Sequence, residues 1–248
     1  MNVVVTKSYE ESCAYVAQEM VALVNANPTA KLGLATGGTA EKVYPHLVKA
    51  YQDGKVDFSE VTTVNLDEYL GMSPENPVSY RKCMDTWFFD HVNIDKANTY
   101  VASGLNDPEE EIAIFNEKLY GDKLLDFQLL GVGVSGHIGF NEPGDHLVAG
   151  VHIEELDEST IQANSRYFDS PADVPTRSIT MGVGDIMKAE KIILIATGDS
   201  KIPVITKLLA DDAVTSELPV SVLKLHRDAT IVIDRELAEK CNYKEMEK

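Results

Sequence analysis

Three side chains in this sequence are suited to moving protons and lie in segments able to present them: Asp67, His137 and Glu142. Asp67 belongs to Asn65-Leu66-Asp67-Glu68-Tyr69, which closes a β-branched run. In extended chain Asp67 and Glu68 point in opposite directions, so one can face a cleft while the other is solvated or paired. A carboxylate in a cleft acts as a general base whose pKa its surroundings set. In isolation, a helix cap or a surface acid is the commoner use of such a residue. His137 and Glu142 stand five residues apart in Gly136-His137-Ile138-Gly139-Phe140-Asn141-Glu142-Pro143. That spacing does not match a His-Glu-x-x-His zinc helix. An acid touching an imidazole orients it and raises its pKa, which suits a proton shuttle. A histidine donating to a backbone carbonyl is the plainer alternative.

Other segments have the make-up of anion holders. Thr36-Gly37-Gly38-Thr39 sits between a predicted strand and a predicted helix. Glycines there let backbone approach a ligand, and a helix start offers free N–H groups and a positive dipole end. A tight turn with a threonine N-cap fits the same residues. No Gly-Lys-Ser/Thr follows, so this is no Walker loop. Arg166 in Ala163-Asn164-Ser165-Arg166 and Lys201 in Gly198-Asp199-Ser200-Lys201 each place a cation beside small polar residues. A lysine at a helix start opposes the dipole, and an anionic ligand would account for it. A solvated surface arginine is the default for Arg166 alone. Gly131-Val132-Gly133-Val134-Ser135-Gly136 spells a dinucleotide fingerprint, but two further glycines and a proline follow where that fingerprint needs a helix.

The elements that must position these residues alternate. Strands are expected at Val3–Thr6, Leu32–Ala35, Val61–Leu66, Phe127–Val132, Ser178–Met181, Lys191–Ala196 and Thr230–Ile233. Helices are expected over Ser8–Asn25, Ala40–Tyr51, Ser79–His91, Glu109–Tyr120 and Lys201–Leu209. The alternation argues for one α/β domain over 1–248: a modified doubly wound, Rossmann-like, mostly parallel sheet with helices on both faces. Such sheets bind ligands at strand carboxyl ends where the order reverses. The polar stretch 145–175 has weak periodicity and reads as a mobile lid.

Composition narrows the partners. The formal net charge is −18, which disfavours nucleic acid and anionic membranes. A phosphate site must therefore be a local device. No apolar run is long enough to span a bilayer, and the start lacks the pattern of a secretory signal. Cys13, Cys83 and Cys241 are scattered and odd in number, as expected of free thiols in a reducing cytoplasm.

Together TGGT at 36–39, NLDEY at 65–69, GHIGFNEP at 136–143, NSR at 164–166 and TGDSK at 197–201 resemble the glucosamine-6-phosphate deaminase (isomerase) family in order and spacing, over nearly the whole chain. Each motif is weak alone; GHIGFNEP with NLDEY is specific. The resemblance implies no cofactor and no metal. It makes Asp67 the base that moves a proton between C2 and C1 of an open-chain amino sugar. His137 would assist ring opening with Glu142 orienting it, and Thr36, Gly37, Gly38, Thr39, Arg166 and Lys201 would hold the substrate phosphate. Long bacterial members carry an aspartate where this chain has Ser135, a neutral hydroxyl left as a helper. Their activator site uses an arginine and a lysine where His152 and Glu154 stand here, with Asp145 at a serine position. The resemblance thus leads us to expect a monomer or small homo-oligomer without activation by N-acetylglucosamine 6-phosphate. Three rivals remain at this stage: a 6-phosphogluconolactonase on a similar fold, a non-catalytic sugar-phosphate sensor, and a dinucleotide-dependent oxidoreductase resting only on the glycines at 131–136.

Overall fold

The computed structural model describes residues 1–243. In chain order its strands are β1 (Asn2–Thr6), β2 (Lys31–Leu34), β3 (Thr62–Asn65), β4 (Asp67–Tyr69), β5 (Thr99–Tyr100), β6 (Phe127–Leu130), β7 (His152–Glu155), β8 (Arg177–Thr180), β9 (Lys191–Ala196) and β10 (Ala229–Asp234). The helices are α1 (Tyr9–Ala26), α2 (Tyr44–Gln52), α3 (Tyr80–Trp87), α4 (Pro108–Tyr120), α5 (Glu158–Asn164), α6 (Val183–Ile186), α7 (Ile202–Ala210) and α8 (Arg235–Lys240), with short 3₁₀ turns between them.

Seven strands form a parallel sheet in the order β1-β10-β9-β6-β2-β3-β5. The runs KIILIA of β9 and ATIVID of β10 are almost wholly buried, as strands covered on both faces require. From β1 the chain steps through β2 and β3 to β5 at one edge, then returns to β6 and works back through β9 to β10. Right-handed crossovers put connections that run in opposite directions on opposite faces. The strand order therefore assigns α1 and α2, which pack together, to one face, and α4 and α7, whose connections run the other way, to the opposite face. The direction reverses between β2 and β6, so the loops leaving these neighbours part and open a crevice at their carboxyl ends. The TGGT turn follows β2, and the glycine-rich segment follows β6.

A second, antiparallel sheet has the order β4-β8-β7. It accounts for several departures from the sequence reading. The expected strand Val61–Leu66 stops at Asn65, and after one residue the chain enters β4 in the small sheet. The expected helix Ala40–Tyr51 is a 3₁₀ turn (Ala40–Lys42) followed by α2. The helix expected over Ser79–His91 stops at Trp87, with a 3₁₀ turn behind it. The stretch 145–175 is not featureless: it holds β7, α5 and 3₁₀ turns at Ser165–Tyr167 and Pro171–Asp173. A satellite core of Tyr69, Met72, Phe140 and Leu156, backed by Val78, Tyr80, Ile161 and Phe168, binds this cap to the body. No helix among the described residues is long and apolar enough to cross a membrane.

Candidate active site

The switch-point crevice holds a cavity of about 660 Å³. Its lining includes Thr36, Gly37, Gly38, Thr39, Asp67, His137, Arg166 and Lys201, so eight residues singled out from the sequence meet in one space. Glu142 and Ser135 do not line it; they stand behind His137 and touch its ring.

Asp67 opens β4, where leaving the main sheet turns its side chain into the crevice. It is 7% exposed, and burial, then the charge of Glu68, pushes its carboxyl up to about 8. No hydrogen-bond donor among the described residues offsets that burial. Glu68 shows the opposite fate of two adjacent acids: it is fully buried and bonded by Tyr69 N (2.9 Å), Ser79 Oγ (2.8 Å) and Arg81 N (3.2 Å). Glu68 therefore anchors the strand while Asp67 is left for the cavity.

His137 Nδ1 lies 2.9 Å from Glu142 Oε2 and 3.0 Å from Ser135 Oγ. Ser135 Oγ also donates to Glu142 Oε2 at 3.1 Å. Burial would raise the Glu142 carboxyl, but the hydrogen bond and charge of His137, with Thr160 and Ser135, outweigh it and hold Glu142 below its usual range. An ionised Glu142 makes Nδ1 the protonated nitrogen, which leaves Nε2 to accept a proton from a ligand. The ring lies so tightly on its own loop that a Cβ at Gly133 would stand 2.1 Å from Nε2. The glycines at 131–136 thus make room for an imidazole; no helix opens there, and the segment is not a dinucleotide fingerprint.

At the other end, the N–H groups of Gly38, Thr39 and Ala40 find no backbone acceptor among the described residues, because the first bonded amide of the turn is Glu41 N to Gly37 O at 3.0 Å. Thr39 makes no side-chain cap bond, so the threonine-cap alternative does not hold. Tyr9 Oη donates to the carbonyls of Gly38 (3.2 Å) and Thr39 (3.1 Å), which leaves the N–H edge of the turn open. Arg166 stacks on Tyr167, its guanidinium carbon 4.7 Å from the ring centre. A Cβ at Gly38 would stand 2.9 Å from Tyr167 Oη, so glycine there lets the cap approach the turn. Lys201 precedes α7; burial, then repulsion from Arg166, lowers its ammonium to about 8. Two cations and three such amides lining one cavity have the make-up of an anion site.

The sequence reading missed Tyr9, Tyr80 and Thr160, which also line the cavity, and gave Asn164 no role beyond its motif. Asn164 Nδ2 donates to Tyr69 Oη at 2.9 Å and ties the end of α5 to β4. A lone threonine or tyrosine leaves no spacing signal, so only the folded chain reveals these partners.

A doubly wound domain with a bare buried acid, an oriented imidazole and an anion site around one crevice defines an enzyme class that moves protons on a small phosphorylated molecule. More specifically, the chain belongs to the glucosamine-6-phosphate isomerases/6-phosphogluconolactonase family, whose model matches residues 6–232. It is 47% identical over 239 residues to a glucosamine-6-phosphate deaminase of Clostridium perfringens (strain 13 / Type A), covering 96% of this chain and 98% of that protein. It is 44% identical over 239 residues to one of Thermoanaerobacter sp. (strain X514), covering 96% and 94%. A solved structure described as a monomeric glucosamine-6-phosphate deaminase superposes with a TM-score of 0.94 at 39% identity, over 97% of this chain and 100% of that one. A 6-phosphogluconolactonase from Thermotoga maritima has a TM-score of 0.74 at 16% identity, over 94% and 98%, and shares the fold alone.

Proposed function

We propose that this protein converts glucosamine 6-phosphate and water to fructose 6-phosphate and ammonia. The observation that carries this reading is the single cavity onto which Asp67, the oriented His137 and the anion site all open. The deaminase relatives, alike over nearly the whole chain, support it.

The amides of Gly38, Thr39 and Ala40, with Arg166 and Lys201, hold the phosphate and so fix the distant C1 and C2 relative to Asp67. His137 Nε2 takes the anomeric hydroxyl proton; the C1–O5 bond breaks, C1 becomes an aldehyde, and the proton passes to O5. Asp67 then removes the C2 proton. The electron pair left at C2 forms a C1–C2 double bond, and a proton from the substrate's ammonium passes to the aldehyde oxygen, giving a neutral enolamine with a free nitrogen lone pair. The same carboxyl returns the proton to C1 while the nitrogen lone pair forms C2=N. Water adds at C2, the C–N bond breaks, and ammonia leaves a ketone. Oxidation at C2 balances reduction at C1, so the residues named suffice for the bookkeeping of electrons.

His152 faces Glu154 at 3.0 Å, where an activator's phosphate would need two cations. The reading therefore includes a monomer in the cytoplasm with hyperbolic kinetics, unchanged by N-acetylglucosamine 6-phosphate. The test incubates the purified chain with glucosamine 6-phosphate, galactosamine 6-phosphate and 6-phosphogluconolactone. Release of ammonia and fructose 6-phosphate from the first is the expected result. Lactone hydrolysis without ammonia release would replace the proposal.

A further inference from the structure

A second cavity of about 290 Å³ lies beside the first, in the seam between α3 and the cap. Gly37, Tyr80, Asn164 and Tyr167 line both, so the partition between them is one residue thick. The two spaces differ in charge. Arg166 and Lys201 line the main cavity and not the second. There the one charged lining residue among those described is Glu41, set among the rings of Tyr69, Tyr80, Trp87, Tyr167 and Phe168. Lys42 pairs with Glu41 Oε1 at 3.0 Å, but Oε2 has no partner among the described residues. The Cys83 thiol on the same wall is pushed up to about 11 by burial and then by the charges of Glu68 and Glu41, in keeping with a negative local potential. Ring faces and a carboxylate attract cations, and such a potential repels phosphate.

We propose that this side pocket is a holding site for ammonium, through which the nitrogen released in the main cavity leaves while the sugar phosphate is still bound. The role rests on the deaminase reading above. In that reaction nitrogen departs from C2, the carbon that Asp67 deprotonates. Asp67 stands against the partition: it shares the short strand β4 with Tyr69, whose ring centre is 5.0 Å from that of Tyr80. Burial chiefly, and after it the charge of Asp67 among others, raises the hydroxyls of both tyrosines. Ammonia is uncharged as it leaves carbon and is small enough to pass between side chains. In the pocket solvent protonates it, and Glu41 and the rings hold it as ammonium. At about 30 Å³ for each water-sized molecule, the space admits the ion with several waters, so the cation is not stripped bare. Charge thus sorts the two products: the phosphate stays at the end with two cations, and the ammonium is drawn to the end with none.

Trp87 is the chain's single tryptophan, so its fluorescence in the full chain reports on the pocket. The probe is ammonium chloride, with sodium chloride at equal concentration as the reference. The expected result is a saturable change with ammonium that sodium does not produce. Its apparent Kd should rise about threefold or more in Glu41→Gln, within the range for a partly exposed charge pair. Thr86 is exposed and lines the pocket, so Thr86→Lys adds a cation there without disturbing the core and should weaken the ammonium response at least as much. In the reverse reaction both variants should raise KM for ammonium by a similar factor, while KM for fructose 6-phosphate stays within about twofold. Equal responses to ammonium and sodium, or variants whose KM for ammonium matches wild type, would overturn the proposal. A saturable, Glu41-dependent response in a chain that makes no glucosamine 6-phosphate from these two substrates would instead sink the deaminase reading and leave the ammonium pocket standing.

Discussion

The two ends of the cavity wall treat a buried carboxylate in opposite ways. At the mouth of β4, Asp67 is buried with no donor, and its carboxyl rises to about 8. In the corner behind His137, Glu142 is as buried but takes hydrogen bonds from His137, Thr160 and Ser135, and its carboxyl falls. Pairs of acids pushed apart in this way mark a division of labour. Glu142 has its partners in the protein and orients; Asp67 has none and awaits a partner from outside. Lys201 follows the rule of Asp67, since burial and Arg166 lower it and no acid of the described chain pairs with it. A hexosamine phosphate carries an ammonium for the one and a phosphate for the other.

The largest expected effect separates activity from stability. Asp67→Asn keeps the shape and removes the proposed base, so turnover should fall by about 10³-fold or more. Stability should move the other way. The folded carboxyl titrates near 8, above its unfolded value of 3.8, so folding stability is intact in acid and declines as pH rises to about 8. The asparagine variant escapes that decline and should gain resistance to urea, most of all above pH 8. Glu142→Gln should show the reverse sign: its folded pKa is lowered, so its stabilisation is present at neutral pH and lost in acid. We expect it to cost about 1–3 kcal/mol at pH 7, the range for a buried group losing charged hydrogen bonds, with the difference vanishing at low pH. Urea midpoints of both variants from pH 4 to pH 9 decide the matter. Two losses of the same sign would erase the contrast between the two acids.

How much of this was legible beforehand follows the same physical divide. Lys191–Ala196 was read with its true ends because a strand covered on both faces is a continuous apolar run. The TGGT turn, Asp67, His137 and Glu142 were legible as motif residues at strand ends. β4 was not, because three residues cannot reveal which sheet they join; its antiparallel register with β8, Asp67 opposite Thr180, comes from a strand more than a hundred residues away. The cap was hidden for a related reason. Over Glu158–Asn164 only Thr160 is buried and Ile161 alone packs on the satellite core, so α5 has no apolar stripe for a sequence pattern to reveal. Residues that act through partners distant in sequence, such as Thr160 on Glu142, left no pattern to read.

A smaller effect concerns pH. On the proposed mechanism, free enzyme needs Asp67 ionised, favoured above about 8, and Lys201 charged, favoured below about 8. The profile of kcat/KM should therefore be a narrow bell near pH 8. Bound substrate supplies the opposite charge to each group, lowering Asp67 and raising Lys201, so the kcat profile should be broader on both sides. Lys201→Ala should remove the alkaline limb of kcat/KM and raise KM by about 10- to 100-fold, as expected for losing a charged hydrogen bond to phosphate. Equal widths for the two profiles would mean that the substrate's charges do not restore these groups.

The smallest effect tests whether the Glu142 corner depends on its carboxylate or its hydroxyl. Ser135 Oγ is 3.0 Å from His137 Nδ1 and 3.1 Å from Glu142 Oε2, so it bridges a pair already in direct contact at 2.9 Å. Removing a bridge leaves the direct bond intact, whereas Glu142→Gln removes the charge that fixes Nδ1 as the protonated nitrogen. Ser135→Ala should therefore lower kcat no more than about threefold, because the direct His137–Glu142 bond still fixes the imidazole and Thr160 still donates to the carboxylate. Steady-state kinetics on glucosamine 6-phosphate would show it. A loss in Ser135→Ala that rivals Glu142→Gln would transfer the orienting role to the hydroxyl, and the ionised carboxylate would then be a structural charge rather than the group that aims the imidazole.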